Sequence, residues 1–367
     1  MISLAEEIKG VTNVKNMFFG QGALCKLEEI IERRRTPSQA GAIFLIDDEL
    51  KTRSYLEDAL PLTPEDLLIY VSTAKEPTTA QIDSLKQKVV QSLESNPCAV
   101  VGIGGGSVLD CAKALSNLLT NPGKAADYQG WDLVQNKGIY KIGVPTLSGT
   151  GAEATRTCVM TNPESGVKLG MNSDFSVFDE VILDPVLTAT VPREQYFFSG
   201  MDAYVHCIES LAGRYRHPVG DTYSQSVVGI CKEVFTHDEM MSEENRSKLM
   251  VASYLGGSAI GMTMVGLVHP FSAGLSVVLG TRHCISNCIV MQAMEHFYPD
   301  AFQGFMTMVE KQEIEIPNRI CSELSDQKYD ELYAATIVHE KPLINALGPS
   351  FRETLSPSEV RRVFETL

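Results

Sequence analysis

Apolar positions along this chain change their spacing near its middle. The first half holds short, nearly continuous apolar runs: Ala42-Ile43-Phe44-Leu45-Ile46, Leu67-Leu68-Ile69-Tyr70-Val71 and Ala99-Val100-Val101-Gly102-Ile103. Lys141-Ile142-Gly143-Val144-Pro145-Thr146 repeats the pattern and ends in a turn. Runs of this length bounded by turn residues read as buried strands. Between them, Ile82, Leu85, Val89, Val90 and Leu93 recur at helical spacing within 78–94, and a second helix is expected over 107–119. Strands that alternate with helices need crossover connections. The first half therefore predicts an open α/β domain with a parallel sheet.

The second half follows a different period. Segments 192–213, 221–235, 244–268 and 284–297 carry apolar residues at helical spacing and few β-rich runs. Pro192 suits a first helical turn, where its missing N–H is not needed. A buried helix interrupted near His269-Pro270 is expected within the apolar stretch 251–281, which is rich in Gly and Ser. This half predicts an all-α domain. The boundary falls near Asp184-Pro185, giving an α/β domain over 1–185 and a helical domain over 186–367. Residues 340–367 mix Pro, Gly and charge and predict little.

Composition narrows the partners. At 367 residues the chain has room for two cores. A net charge of −15 argues against nucleic acid or an anionic membrane surface, while leaving room for a local basic pocket. No apolar stretch predicts a membrane span. The first nine residues lack the basic and apolar regions of a signal peptide, and the nine cysteines form no CxxC pair. A cytoplasmic protein with reduced thiols is the expectation.

Two turns suit a nucleotide. Gly104-Gly105-Gly106-Ser107 lies between a predicted strand and a predicted helix, where bare backbone can approach a pyrophosphate and a helix N-terminus offers free N–H groups. The spacing is not GxGxxG, and a tight connection is the plain alternative. Thr146-Leu147-Ser148-Gly149-Thr150-Gly151 also follows a strand, and Thr146, Ser148 and Thr150 supply hydroxyls suited to phosphate or ribose. Asp47 ends the first strand. An acid there accepts from ribose hydroxyls and repels a 2′-phosphate, favouring NAD over NADP, although a solvated turn aspartate reads equally well.

A third constellation suits a metal. Asp202 and His206 are i and i+4, one turn apart on one helix face, and His269 and His283 follow in Gly-rich surroundings. One carboxylate and three imidazoles suit a borderline divalent ion such as Fe2+, Zn2+, Co2+ or Ni2+. Residues alone leave open a core histidine, a helix aspartate and two loop histidines with no common purpose. Cys284 and Cys288 lie near His283 and leave a thiolate ligand conceivable, but buried cysteines ordinarily pack as small apolar groups. His217, His237, His296 and His339 sit in loop-like or polar contexts and read as structural or exposed.

Together these motifs resemble the iron-containing (group III) alcohol dehydrogenases. The residues that carry the resemblance are Gly104-Gly105-Gly106-Ser107-Val108-Leu109-Asp110-Cys111-Ala112-Lys113, Pro145 to Glu153, Ile182-Leu183-Asp184-Pro185, and Gly200-Met201-Asp202-Ala203 with His206 and Glu209. The resemblance runs from about Phe19 to Asn287. It implies a dinucleotide-binding first domain, a helical metal-binding second domain and an active site in the cleft between them. It implies Asp202, His206, His269 and His283 as ligands of Fe2+ or Zn2+. It also implies Gly105, Gly106 and Ser107 as pyrophosphate contacts, Asp47 as the cofactor-selecting residue, Thr146 and Lys168 as further contacts, and Asp110 near the nicotinamide. The expected partner is a small-molecule alcohol, and a homodimer is the expected assembly.

Within that family the chain is most similar to the 3-deoxy-D-manno-octulosonate (Kdo) 8-oxidase branch. Tyr128 to Leu133, Ser148 to Ala154 with Arg156-Thr157, and Lys168 to Asp174 carry this. The implied reaction is oxidation of the C8 alcohol of Kdo to an aldehyde, in lipopolysaccharide sugar biosynthesis. A dehydrogenase for another polyol or short alcohol, and a dehydroquinate-synthase-like lyase, are the alternatives. The chain departs from the family at two places. Ala273 stands where many members have a further histidine, and Arg282-His283-Cys284 replaces the usual Pro-His-Gly. Arg282 and Arg156 are the candidates for a substrate carboxylate, with a surface ion pair the alternative for each.

Overall fold

The computed structural model describes residues 11–39, 41–53 and 59–367. The apolar runs form strands as their patterning requires. Ile43–Asp47 (β2), Leu67–Val71 (β3), Val100–Gly104 (β4) and Lys141–Pro145 (β6) lie in one six-stranded sheet with Asn16–Phe19 (β1) and Glu180–Leu183 (β9). The order is β1-β9-β6-β4-β2-β3, and every pairing is parallel. All residues of β4 and β6 are buried. That explains why they read as continuous runs rather than as alternation. Phe44, Ile46, Val101, Ile103, Ile142 and Val144 form the core of this unit.

The helices of this unit follow the expected spacing. Helix α1 spans Lys26–Glu32. Helix α2 spans Thr79–Ser92 and is capped by Thr78, whose hydroxyl accepts from Gln81 N at 3.1 Å. Helix α3 spans Gly106–Leu118. A second sheet, of Gly130–Trp131 (β5), Thr157–Asn162 (β7) and Val167–Asn172 (β8), has the order β5-β8-β7. It does not follow from the apolar pattern: β7 and β8 are only partly buried, and their pairing is antiparallel.

The second half is helical among its described residues. The helices are Arg193–Ala212 (α4), Pro218–Thr236 (α5), Glu243–Met262 (α6), Val268–Leu279 (α7), His283–Met291 (α8), Pro299–Lys311 (α9) and Asp326–Ile337 (α10). Pro192 is the N-cap residue ahead of α4 rather than part of its first turn. The helix expected over 244–268 ends instead at Met262. A new one starts at Val268, with Pro270 in its first turn, where no N–H is required. The span expected over 284–297 stops at Met291. Residues 340–367 hold three more short helices.

The chain forms two compact units. One holds the sheets, with residues 11–147 and 152–190; the other holds the helices, with 191–367 and the short segment Ser148–Gly151. That segment packs on α4 and α6. A Cβ on Gly149 would stand 1.7 Å from Ser199 O, and one on Gly151 would stand 2.5 Å from Gly257 Cα. Gly151 N also donates to Ser253 Oγ at 3.2 Å. Both glycines have positive φ, so these positions require glycine twice over. Among the described residues, no helix is long and apolar enough to cross a membrane.

Candidate metal centre and nucleotide turn

Helix α4 runs through the core of the helical unit, and every residue from Tyr196 to Ser210 is buried. Asp202, His206 and Glu209 follow one another at i, i+4 and i+7, so they share one face. His269 lies in the first turn of α7, and His283 opens α8. The four predicted residues meet. Asp202 Oδ1 lies 3.6 Å from His206 Nε2, 3.5 Å from His269 Nε2 and 3.6 Å from His283 Nε2.

These separations are too long for good hydrogen bonds but suit donors around a shared ion. Bonds of about 2.0–2.2 Å in tetrahedral array place neighbouring donors about 3.3–3.6 Å apart. The donor atoms of Asp202, His269 and His283 all lie within 4.8 Å of one another. His206 falls outside that mutual set, and its ring stacks on His269 with centroids 4.6 Å apart. His269 Nε2 is buried without a hydrogen-bond partner.

Charge leads to the same conclusion. Asp202 and Glu209 are both fully buried. Among the described residues, the only ion pairs either one makes are with histidines. Burial favours the neutral acid at Asp202, yet the facing imidazoles outweigh it and hold the group well below the usual carboxylate range. Burial pushes His206 down to about 4. At His269 burial also acts downward, but Glu209 and Asp202 overcome it and raise the ring to about 9. A buried carboxylate facing three ring nitrogens calls for a cation, and this donor set fits a divalent one.

Two further residues complete the centre. Glu209 Oε1 accepts from Val268 N at 2.5 Å and from His269 N at 3.4 Å, while Oε2 meets His269 Nδ1. One carboxylate thus caps the N-terminus of α7 and fixes the tautomer of His269, so that Nε2 faces Asp202. Asn287 Nδ2 donates to Asp202 Oδ1 at 2.6 Å. Sequence reasoning assigned neither a role here, although Glu209 is one turn beyond His206 and Asn287 one turn beyond His283. Of the two cysteines near His283, Cys284 Sγ reaches Asp202 Oδ2 at 3.8 Å, and Cys288 is fully buried with its thiol pushed up by that burial.

Two other histidines serve the backbone. His217 Nδ1 accepts from Val219 N at the start of α5, and His237 Nδ1 accepts from Glu239 N. His296 packs edge-on against Phe297.

In the sheet unit, Gly104 and Asp47 lie at the carboxyl ends of adjacent parallel strands. A Cβ on Gly104 would come within 2.8 Å of Val108 and 3.1 Å of the Asp47 Cβ. No side chain caps α3, which begins at Gly106. This is the place where an open α/β sheet takes a phosphate. Asp47 Oδ1 accepts from Glu49 N at 3.2 Å and from Thr73 Oγ1 at 2.9 Å, and burial raises its pKa. Thr146 is buried, its N bonded to Gly104 O at 3.0 Å. Ser148 and Thr150 belong to the helical unit.

Several predicted contacts have partners already. Lys168 pairs with Glu76 at 2.6 Å. Asp110 pairs with the buried Lys113 at 2.9 Å and accepts from Val159 N at 2.9 Å, tying α3 to β7. Arg156 is held by Asp132 and by Asp174, the latter at 2.8 Å, so the surface ion pair describes it as the structure stands. Arg282 is exposed at the N-cap of α8.

Residues 15–185 match the model of the iron-containing alcohol dehydrogenases, and residues 197–335 match the model of that family's C-terminal domain. The chain belongs to the iron-containing alcohol dehydrogenase family. Among its relatives in this family, a sulfoacetaldehyde reductase of Bilophila wadsworthia is 29% identical over 74% of this chain and 70% of its own length. An NAD-dependent methanol dehydrogenase of Bacillus methanolicus is 28% identical over 74% and 71%. The fold matches a 1,3-propanediol oxidoreductase with a TM-score of 0.83, at 18% identity over 98% of this chain and 99% of that one. It also matches a sulfoacetaldehyde reductase of Bifidobacterium kashiwanohense in complex with NAD+, with a TM-score of 0.79, at 19% identity over 98% of both chains. The protein is thus an oxidoreductase of the alcohol dehydrogenase type, with the parallel-sheet and helical units of that family.

Proposed function

We propose that the protein interconverts a primary alcohol and its aldehyde by hydride transfer between the carbinol carbon and the nicotinamide of NAD. A divalent ion, Fe2+ or Zn2+, belongs on Asp202, His206, His269 and His283. The observation that carries this reading is the set of three imidazole nitrogens 3.5–3.6 Å from one buried carboxylate oxygen. Such an ion supplies Lewis acidity that eases loss of the hydroxyl proton. The chain's own residues do the placing. Glu209 keeps His269 Nε2 aimed at Asp202. The Gly104–Ser107 turn and the start of α3 receive the pyrophosphate, and Asp47 receives ribose hydroxyls. Thr146, Ser148, Thr150, Lys168 and Asp110 are the further cofactor residues of this proposal, Lys168 and Asp110 through the ion pairs they already make.

The finer proposal is the C8 alcohol of Kdo. Its support is the three resembling stretches and Arg282, an exposed guanidinium beside His283 that suits a sugar-acid carboxylate. The proposed setting is the cytoplasm, where the nine free thiols would stay reduced. The proposed assembly is a homodimer, with the half-exposed Met17 and Phe19 on edge strand β1 available to it. The test is metal analysis of the purified protein together with NADH formation on Kdo, on a short diol and on a simple alcohol. Turnover of the diol but not of Kdo removes the substrate while keeping the reaction. Absence of both bound metal and turnover removes the reaction.

A further inference from the structure

We propose that Asn287 is a positioning residue that sets the direction of the Asp202 carboxylate toward the ion, and so sets the affinity of the centre. The inference rests on the metal reading above. The last torsion of an aspartate is soft, so the backbone of α4 does not decide where its oxygens point. The three imidazole nitrogens stand 3.5–3.6 Å from Asp202 Oδ1, beyond firm hydrogen bonding. The thiol of Cys284 reaches only the other oxygen, at 3.8 Å. Among the described residues, Asn287 Nδ2 alone holds Oδ1 closely, at 2.6 Å. The same nitrogen lies 3.4 Å from His283 Nε2. One helix, α8, therefore delivers both a ligand and, a turn later, the group that orients the ligand from α4.

The other end of the amide separates function from packing. Asn287 is fully buried, and among the described residues its Oδ1 has no hydrogen-bond partner. A buried amide with one end unsatisfied is a poor choice for packing alone, because leucine of similar shape would fill the space with no unsatisfied oxygen. If Asn287 served packing alone, Asn287→Leu would leave metal binding untouched.

The experiment is a chelator competition with Zn2+ on metal-stripped wild type, Asn287→Leu and Asn287→Ala, with melting of the stripped and loaded forms. The expected result is a 10–100-fold weaker Zn2+ affinity in both variants and a smaller rise in melting temperature on loading. Stripped Asn287→Leu also loses the close donor to the buried Asp202 carboxylate and should melt lower than stripped wild type, so the proposal is read from the affinity and from the smaller rise on loading. Wild-type affinity in both variants overturns the proposal. Failure of the wild type itself to bind Zn2+ or Fe2+ overturns the metal reading instead. A crystal structure of the zinc-loaded wild type is the independent check should both variants misfold. Asn287 Nδ2 must still donate to Asp202 Oδ1, and an amide turned away overturns the proposal.

Discussion

Replacing Glu209 by glutamine tests whether the centre is held by a tautomer. Glu209 is fully buried and accepts from Val268 N, His269 N and His269 Nδ1. Glutamine keeps the size and one acceptor oxygen, so the N-terminus of α7 stays capped. The amide nitrogen then faces His269 Nδ1, where two donors cannot meet. The ring must become an acceptor there, which moves its proton to Nε2, the atom 3.5 Å from Asp202 Oδ1. A protonated Nε2 has no lone pair for a metal. Loss of such an outer carboxylate costs about 10–100-fold in metal affinity, or about 1.4–2.8 kcal/mol. Glu209→Ala would add two uncapped backbone donors, each worth about 1–3 kcal/mol of fold stability. The assay is chelator competition with Zn2+ on stripped protein, read beside melting of the stripped form. The glutamine variant should lose affinity with little loss of stability, and the alanine variant should lose both. A glutamine variant that binds Zn2+ within about twofold of wild type would refute the tautomer argument.

Three more outcomes follow from other parts of the molecule. Asp66 is held by both Arg35 amino groups, at 2.9 and 2.8 Å, and by the N–H groups of Ala42 and Thr63. Burial pushes its pKa up, but these partners outweigh burial and lower it. Its contribution is therefore present above the ordinary carboxylate value of about 3.9 and is lost as the pH falls through the lower folded value. Asp66→Asn should cost about 2–4 kcal/mol in urea unfolding at pH 7 and lose less on acidification than wild type; parallel acid profiles would count against this. Asp47→Ala should raise the ratio of NADP to NAD kcat/KM about tenfold or more, and an unchanged ratio would remove Asp47 from cofactor selection. Gly149→Ala drives a Cβ into Ser199 O and should cost about 3 kcal/mol or more. Gly166→Ala, with φ at +67° and open space, should cost only about 1 kcal/mol. Equal melting temperatures for these two variants would mean that Ser148–Gly151 is not clamped by α4.

What could be read from the sequence depended on whether a residue's neighbours are local. Strands β2, β4 and β6 announce themselves because both faces are buried, so every position selects for apolar side chains. Strands β7 and β8 expose part of each face, and β5 has two residues; none has enough apolar length to rise above turn-like surroundings. Asp202 and His206 were legible because helical spacing fixes their relation. His269 and His283 were legible because histidine is scarce in this chain. Glu209 and Asn287 share the same helical phase as those residues, but glutamate and asparagine are ordinary on helices. Only the meeting of α4 with α7 and α8 gives them their roles. Arg156 shows the limit of local reading. The sequence leaves a substrate carboxylate and a surface ion pair both open for it, and its partners in the structure, Asp132 and Asp174, are distant in sequence. The same reasoning leaves Arg282 as the stronger candidate for an anionic substrate. It is exposed one residue before a proposed ligand, at the N-cap of α8, and among the described residues it makes no ion pair.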